Sequence, residues 1–218
     1  MKKISIAIDG PAGAGKSTIS KKVAKKLNIN YIDTGAMYRA VTLKMLNKKI
    51  DLSDKENIIQ VLKNTKISYK NNHIYLDDEL VDNKIRTNEV SNSVSYIAKI
   101  KEVRDILVEM QRRISKNTSV IMDGRDIGSN VLPNADYKFF VTASVEERGR
   151  RRYLELKEKG INVELNDIIE KIKTRDKIDS TRAIAPLKKC KDAIVIDTTN
   201  KTIDECIDEI LSYIVERR

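Results

Sequence analysis

The 218-residue chain has only two cysteines, one histidine, three prolines and eight glycines. Cys190 and Cys206 fit neither a CxxC pair nor a metal-ligand spacing, which argues against a disulfide framework and points to free thiols in a reducing compartment. The N-terminal "MKKISIAIDG" lacks a long apolar segment and a small-residue cleavage site, and no run approaches membrane-spanning length. A cytoplasmic protein without a membrane partner is expected. No Pro/Gly linker, internal repeat or low-complexity tract divides the chain, so one domain, or one core with inserted pieces, is the reading. The single His73 falls in a polar stretch and reads as a surface residue.

What the chain does have is positive charge: 42 Lys and Arg against 32 Asp and Glu, a formal balance of +10. Such an excess favours anionic partners, whether nucleic acid, a membrane surface or small phosphorylated ligands. Many lysines, as in "SKKVAKKLN", lie between apolar helix positions and belong to solvated faces. The arginines are placed differently.

Apolar runs "KISIAI", "NYID", "SVIMD", "YKFFVTA" and "AIVID" read as strands, and helical periodicity follows the first two and recurs around residues 101–115, 144–159 and 202–216. Ser144 and Glu147 have capping-box spacing. The alternation predicts a mostly parallel sheet covered on both faces. Residues 66–82, "KISYKNNHIYLDDELVD", break the rhythm with alternating Ile67/Tyr69 and Ile74/Leu76 around an Asn71-Asn72 turn, which predicts a small antiparallel insert.

Between the first strand and first helix, "IAIDGPAGAGKSTIS" (6–20) places Gly10, Gly15, Lys16 and Ser17 in the pattern G-x-x-x-x-G-K-[ST]. Glycines let successive amides point into one concavity, and the helix N-terminus adds its positive end. Lys16 then reaches the β- and γ-phosphates, and the Ser17 hydroxyl can bind Mg²⁺. An ordinary turn would leave Lys16 without a role. No N-K-x-D tetrapeptide is present to read guanine.

"DTGAMYR" (33–39) ends the second strand, and "DGRDIG" (123–128) ends the third. With the P-loop and "RDKIDSTRAIAPL" (175–187), these motifs closely resemble those of bacterial cytidylate kinases, in order and over essentially the whole length. The resemblance extends to the insert before "IRTNEV" and to the closing "VIDTTNKTIDE"; Thr34 stands where some members have Ser. It implies an α/β fold of the P-loop NTPase kind. This is a three-layer α/β/α sandwich with a five-stranded parallel sheet, to which a nucleoside-monophosphate-binding insert and a mobile lid are added. The implied division is a core of about 1–40, 101–150 and 183–218, an acceptor-binding region of about 41–100 containing the 66–82 insert, and a lid of about 151–174. The implied activity is Mg²⁺-assisted transfer of the ATP γ-phosphoryl group to CMP or dCMP, by a monomer without a nucleic-acid partner.

Residue by residue, the resemblance places Gly10, Pro11, Ala12, Gly13, Ala14, Gly15, Lys16, Ser17 and Thr18 on ATP. Arg39, Arg125 and Arg182 match acceptor-phosphate positions, where planar guanidinium groups act as bidentate donors, and Thr34 is placed on CMP. Arg175 and Asp179 match positions near the sugar and acceptor end. Asp126, Arg104 and Ser95 match the positions that contact the base, and a carboxylate favours the N4 donor of cytosine over the acceptor of uracil. Tyr38 packs against the nucleotide or the core. Asp123 resembles a Walker B acid acting on Mg²⁺ through water, and Asp33 either joins it or only fixes the loop. Lys16, Arg125, Arg182 and Asp123 form the implied catalytic group. The run Arg148, Arg150, Arg151 and Arg152 opens a helix where basic residues oppose the dipole. It marks the start of the lid, and Arg151 is the one assigned to ATP.

Three other readings share parts of this pattern. Another small-molecule P-loop kinase, such as a UMP/CMP, adenylate or shikimate kinase, would keep the P-loop and the arginines. A nucleic-acid-stimulated ATPase would use the +10 charge, with a steep salt dependence. A module that binds nucleotide without transfer would not need the full arginine set.

Overall fold

Side chains on a strand alternate between faces, and here that alternation builds two separate layers of core. Ile6 and Ile8 of β1 (Ser5–Asp9) join Tyr137, Phe139 and Val141 of β7 (Tyr137–Thr142) on one face of the sheet, while Ala7 joins Val120 and Met122 of β6 (Val120–Gly124) on the other. The computed structural model describes residues 3–70 and 73–215, so the expected Asn71-Asn72 turn lies outside the described residues.

β2 (Asn30–Asp33) and β8 (Ile194–Asp197) complete a five-stranded sheet of order β2-β6-β1-β7-β8, and every pairing in it is parallel. On the first face pack α1 (Lys16–Leu27) and α8 (Ile203–Val215), through Ile19, Val23, Ile207 and Ile210. On the second, α5 (Lys101–Asn117) contributes Val108. This is the expected α/β sandwich of the P-loop kind.

A third cluster is built outside the sheet around α2 (Thr34–Asn47), α3 (Lys55–Lys63) and α4 (Asn88–Ala98), with Met37, Met45, Ile58, Val94 and Ile97 buried together. Against it lies an antiparallel sheet, β3 (Ile67–Lys70), β4 (His73–Leu76) and β5 (Glu79–Leu80). Ile74 and Leu76 point inward, as their alternation predicts. The third short strand was not among the expected elements, nor were α3, α4 and α7 (Leu165–Thr181), which packs along α6 (Val145–Glu158). Half of the Ser144–Glu147 capping box forms: Ser144 Oγ accepts from Glu147 N at 3.2 Å. The Glu147 carboxylate turns instead to Arg150 and Arg151. No helix among the described residues is long and apolar enough to cross a membrane.

β1, β2 and β6 finish level with one another on acids or beside them: Asp33 is in register with Asp123, and Asp9 with Gly124. Open parallel sheets bind ligands in the crevice beyond such carboxyl ends. Phe139 is 1% exposed in the layer beneath this crevice. Phe139→Ala is expected to lower unfolding free energy by about 3–5 kcal/mol, read from urea denaturation.

Candidate active site

Residues 10–15 join β1 to α1. Gly10 has φ +149°, and a Cβ there would sit 1.9 Å from the Val141 carbonyl oxygen; Gly15, at φ +87°, ends the loop. Only glycine fits at Gly10. Three loop carbonyls are held from outside: Lys16 Nζ donates to Pro11 O at 2.6 Å, Arg148 Nη1 to Ala12 O at 3.1 Å and Thr198 Oγ1 to Ala14 O at 3.2 Å. The amides of Ala12, Gly13, Ala14 and Gly15 donate to no backbone group among the described residues. Gly15 caps α1 without a side-chain acceptor, so the first helix amides add to the same anion-attracting end. Burial, with Arg125 nearby, holds the Lys16 ammonium well below its ordinary range. Thr18 is exposed on the first turn of α1.

Asp123 lies at the floor of this loop. Ser17 Oγ donates to Asp123 Oδ2 at 2.5 Å and Tyr31 OH to Oδ1 at 3.2 Å, while Thr34 Oγ1 donates to its main-chain oxygen at 2.7 Å. Burial, and then the negative charge of Asp33, push the Asp123 carboxyl up to about 6. Asp33 caps α2 by accepting from Ala36 N at 2.9 Å, and its second oxygen pairs with Arg86. Burial works to raise Asp33, but Arg86 and Arg39 outweigh it and hold the carboxyl below its usual range. The capping bond gives Asp33 a role in fixing the turn into α2.

Two of the three expected acceptor arginines, Arg39 and Arg125, come together with Arg175, while Arg182 lies beside Asp126. Arg125 Nε donates to Asp179 Oδ2 at 2.9 Å. Burial works to raise Asp179, and Arg125 and Arg175 together hold it low. Burial and the neighbouring Arg125 and Arg39 lower Arg175 to about 9, and burial lowers Arg39 as well. Nε of both Arg39 and Arg175 is buried without a partner among the described residues. Three guanidinium groups thus crowd one pocket with one carboxylate, Asp179, bonded directly to Arg125.

Beside them is a second buried cluster. Asp126 is 4% exposed; it pairs with Arg104, accepts from Asn130 Nδ2 at 2.9 Å and faces Arg182 Nη2 at 3.5 Å. Arg104 donates from Nη1 to Ala98 O at 3.0 Å and lies over the Tyr38 ring, 5.4 Å from its centroid. Burial raises the Tyr38 phenol to about 12, and its hydroxyl has no partner among the described residues. Ser95 is buried on α4. Arg182, just past α7, bonds Ala185 O and is lowered by burial and by Arg104.

The arginine run splits over four directions. Arg148 is buried and bridges the P-loop carbonyl of Ala12, Ala143 O at 3.0 Å and Asp176 at 2.6 Å. Arg150 stays on Glu147 at the surface. Arg151 donates to Thr198 Oγ1 at 3.0 Å and to Thr198 O at 2.7 Å, and its Nη1 would be 3.9 Å from a Cβ on Gly15. Arg152 reaches Glu155 and Asn88. Sequence reasoning missed Asp9, Arg86, Asn130 and Thr198; of these only Asp9, an acid closing an apolar strand, carried a visible signal.

A sequence model described as "Cytidylate kinase" matches residues 6–216. A protein named cytidylate kinase from Clostridioides difficile (strain 630) is 60% identical over 214 residues, covering 98% of this chain and 99% of that one. A second, from Alkaliphilus oremlandii (strain OhILAs), is 54% identical with the same coverage. Among solved structures, a gluconokinase from Sinorhizobium meliloti 1021 superposes with a TM-score of 0.50 at 13% identity, over 97% of this chain and 92% of that one. At that identity the likeness is one of fold.

The raised Asp123 carboxyl has a thermal consequence. Its folded-state value of about 6 exceeds the ordinary 3.8, so the folded chain keeps a proton that the unfolded chain has already released. That contribution to stability is full below pH 3.8 and is lost as pH rises through about 6. Asp123→Asn is therefore expected to melt progressively higher relative to the wild type as pH rises from about 4 to 7, without nucleotide or metal. A melting difference that stays flat across that window contradicts the burial account.

Proposed function

The chain belongs to the cytidylate kinase family and is a nucleoside monophosphate kinase acting on CMP with ATP, and we propose in detail that it transfers the γ-phosphoryl group of Mg-ATP directly to CMP and dCMP. The observation that carries this reading is the pair of buried guanidinium nitrogens of Arg39 and Arg175 without a partner among the described residues, together with a P-loop whose amides donate to no backbone group there and three of whose carbonyls are held by Lys16, Arg148 and Thr198.

In this reading the P-loop amides and Lys16 hold the β- and γ-phosphates. Lys16 leaves Pro11 O for the phosphate, which restores the full charge that burial opposes. Ser17 Oγ and Asp123 are an all-oxygen donor pair that suits Mg²⁺ directly and through water, with Asp33 beside them. Held there, Mg²⁺ would offset negative charge on the transferring phosphate. Arg39, Arg125, Arg175 and Arg182 receive the acceptor phosphate together with Thr34. They overcome the repulsion between two polyanions and align the acceptor oxygen on γ-phosphorus. Asp179 fixes Arg125 at its Nε and Gly124 O takes Nη1 at 3.3 Å, which leaves Nη2 for the phosphate.

Cytosine is read in the pocket of Asp126, Arg104 and Ser95, over Tyr38. Asp126 accepts from N4, which uracil lacks as a donor. Deoxyribose is accepted because Asp179 and Arg175 hold the acceptor end without requiring the 2′-hydroxyl. The acceptor region, about 41–100, carries α3, α4 and the three-stranded sheet. The lid, about 151–174, comprises most of α6, the turn after it and the first half of α7. Arg148 anchors its stem, and Arg151 shifts from Thr198 to the ATP phosphates as the lid closes and excludes water.

The test is ADP release from Mg-ATP with CMP, dCMP, UMP, AMP and shikimate supplied separately. Turnover is expected with CMP and dCMP, and little with the others; equal rates for every acceptor overturn the reading. Asp126→Ala is expected to erode the CMP-over-UMP preference by about tenfold to a hundredfold. Full selectivity in that variant removes Asp126 as the base-reading group.

A further inference from the structure

β1 ends in a carboxylate that no step above uses. Asp9 is 4% exposed, and its two oxygens accept from two successive amides of another segment: Oδ1 from Ile127 N at 2.7 Å and Oδ2 from Gly128 N at 2.8 Å. These amides open a tight π-turn, Ile127–Val131, held within by Leu132 N to Ile127 O at 2.7 Å and Asn130 N to Asp126 O at 2.9 Å. Opening amides of a helical turn have no partner inside it. The residue before this turn, Asp126, does not cap it, because its side chain is occupied by Arg104, Asn130 and Arg182. The cap arrives instead from a strand 118 residues earlier in the chain.

The fit is close. A Cβ on Gly128 would lie 3.4 Å from Asp9 Oδ2, 3.4 Å from Cys190 Sγ and 3.1 Å from Lys138 Cδ. A side chain at that position would crowd Lys138 and sit in contact with the carboxylate. The carboxylate itself is also specific chemistry: ionised, it accepts at both oxygens. An asparagine would accept one amide and turn its own N–H₂ toward the other.

We propose that Asp9 is a positioning residue for the acceptor site, which fixes the direction in which Arg125 and Asp126 leave β6 relative to the P-loop that begins at the very next residue, Gly10. One side chain thereby ties the strand that leads into the donor loop to the turn that carries the acceptor-binding groups. The inference rests on the assignment of Arg125 and Asp126 to CMP. Asp9 touches neither nucleotide in this account and acts through the turn. The P-loop keeps its own shape through Lys16, Arg148 and Thr198, none of which bonds to Asp9, so the effect of losing Asp9 falls on the acceptor side.

The experiment is steady-state kinetics of Asp9→Asn with CMP and ATP varied in turn. The KM for CMP is expected to rise about tenfold or more, the size of losing a buried hydrogen bond to a charged acceptor, while the KM for ATP moves by less than about twofold. A KM for CMP that is unchanged, or a rise equal in both KM values, overturns the proposal. Gly128→Ala, whose Cβ crowds Lys138 beside the amide that Asp9 Oδ2 accepts and so disturbs the same turn, is expected to give the same split at smaller size and decides the matter if Asp9→Asn does not fold; uniform effects on both substrates there also overturn it. Asp126→Ala serves as the reference. If that variant keeps its preference for CMP over UMP, the base-reading assignment falls, and Asp9 is then judged on the KM for CMP, which Arg125 also governs.

Discussion

Mutual repulsion among buried guanidinium groups is the constraint around which this molecule is arranged. Burial lowers Arg39, with Arg86 and Arg125 adding to it against Asp33, and Arg175 falls to about 9 under burial and the charges of Arg125 and Arg39. Burying cations without matching anions is costly. The protein tolerates the arrangement because two core layers flank the sheet beneath it and a third cluster packs around α2 beside it. Asp33 and Asp179 offset part of this charge, and in the proposed function a multiply charged phosphate offsets the rest. Preorganised charge of this kind requires little rearrangement when the reacting groups arrive.

Holding like charges in place requires ties from elsewhere in the chain. Asp179, on α7, holds Arg125; Arg148 bridges the P-loop, the end of β7 and α7; Thr198, after β8, links Arg151 to the P-loop; Asp9 caps the turn that follows Asp126. Each tie joins segments far apart in sequence. The P-loop, the cluster of Arg39, Arg125 and Arg175 and the pocket around Asp126 are consequently held by one network rather than by three local motifs.

That network explains what is legible in the sequence. Strands announce themselves as short apolar runs, and the P-loop declares itself because the glycines and Lys16 follow from backbone geometry over a few residues. The two layers of core are implicit in the alternation of Ile6, Ala7 and Ile8. α7 is harder to read because it buries a single apolar residue, Ile168, and α4 is masked by its polar "SNSVS" segment although Val90, Val94 and Ile97 recur at helical spacing. The acceptor arginines are findable through family resemblance, whereas their crowding is not. Arg86 and Asp9 are the clearest losses: each acts on a partner more than fifty residues away, and no local pattern encodes that. The arginine run shows the converse, since near neighbours of one type end on different sets of partners, with only Glu147 shared by Arg150 and Arg151.

The central claim is that the crowded arginines await the phosphate of the acceptor. Isothermal titration of the nucleotide-free protein with CMP and with cytidine, which has the same base and sugar but no phosphate, tests it most directly. CMP is expected to bind about a hundredfold or more tighter than cytidine, as several charge-assisted bonds to one group would give. Equal affinities for the two would contradict the account.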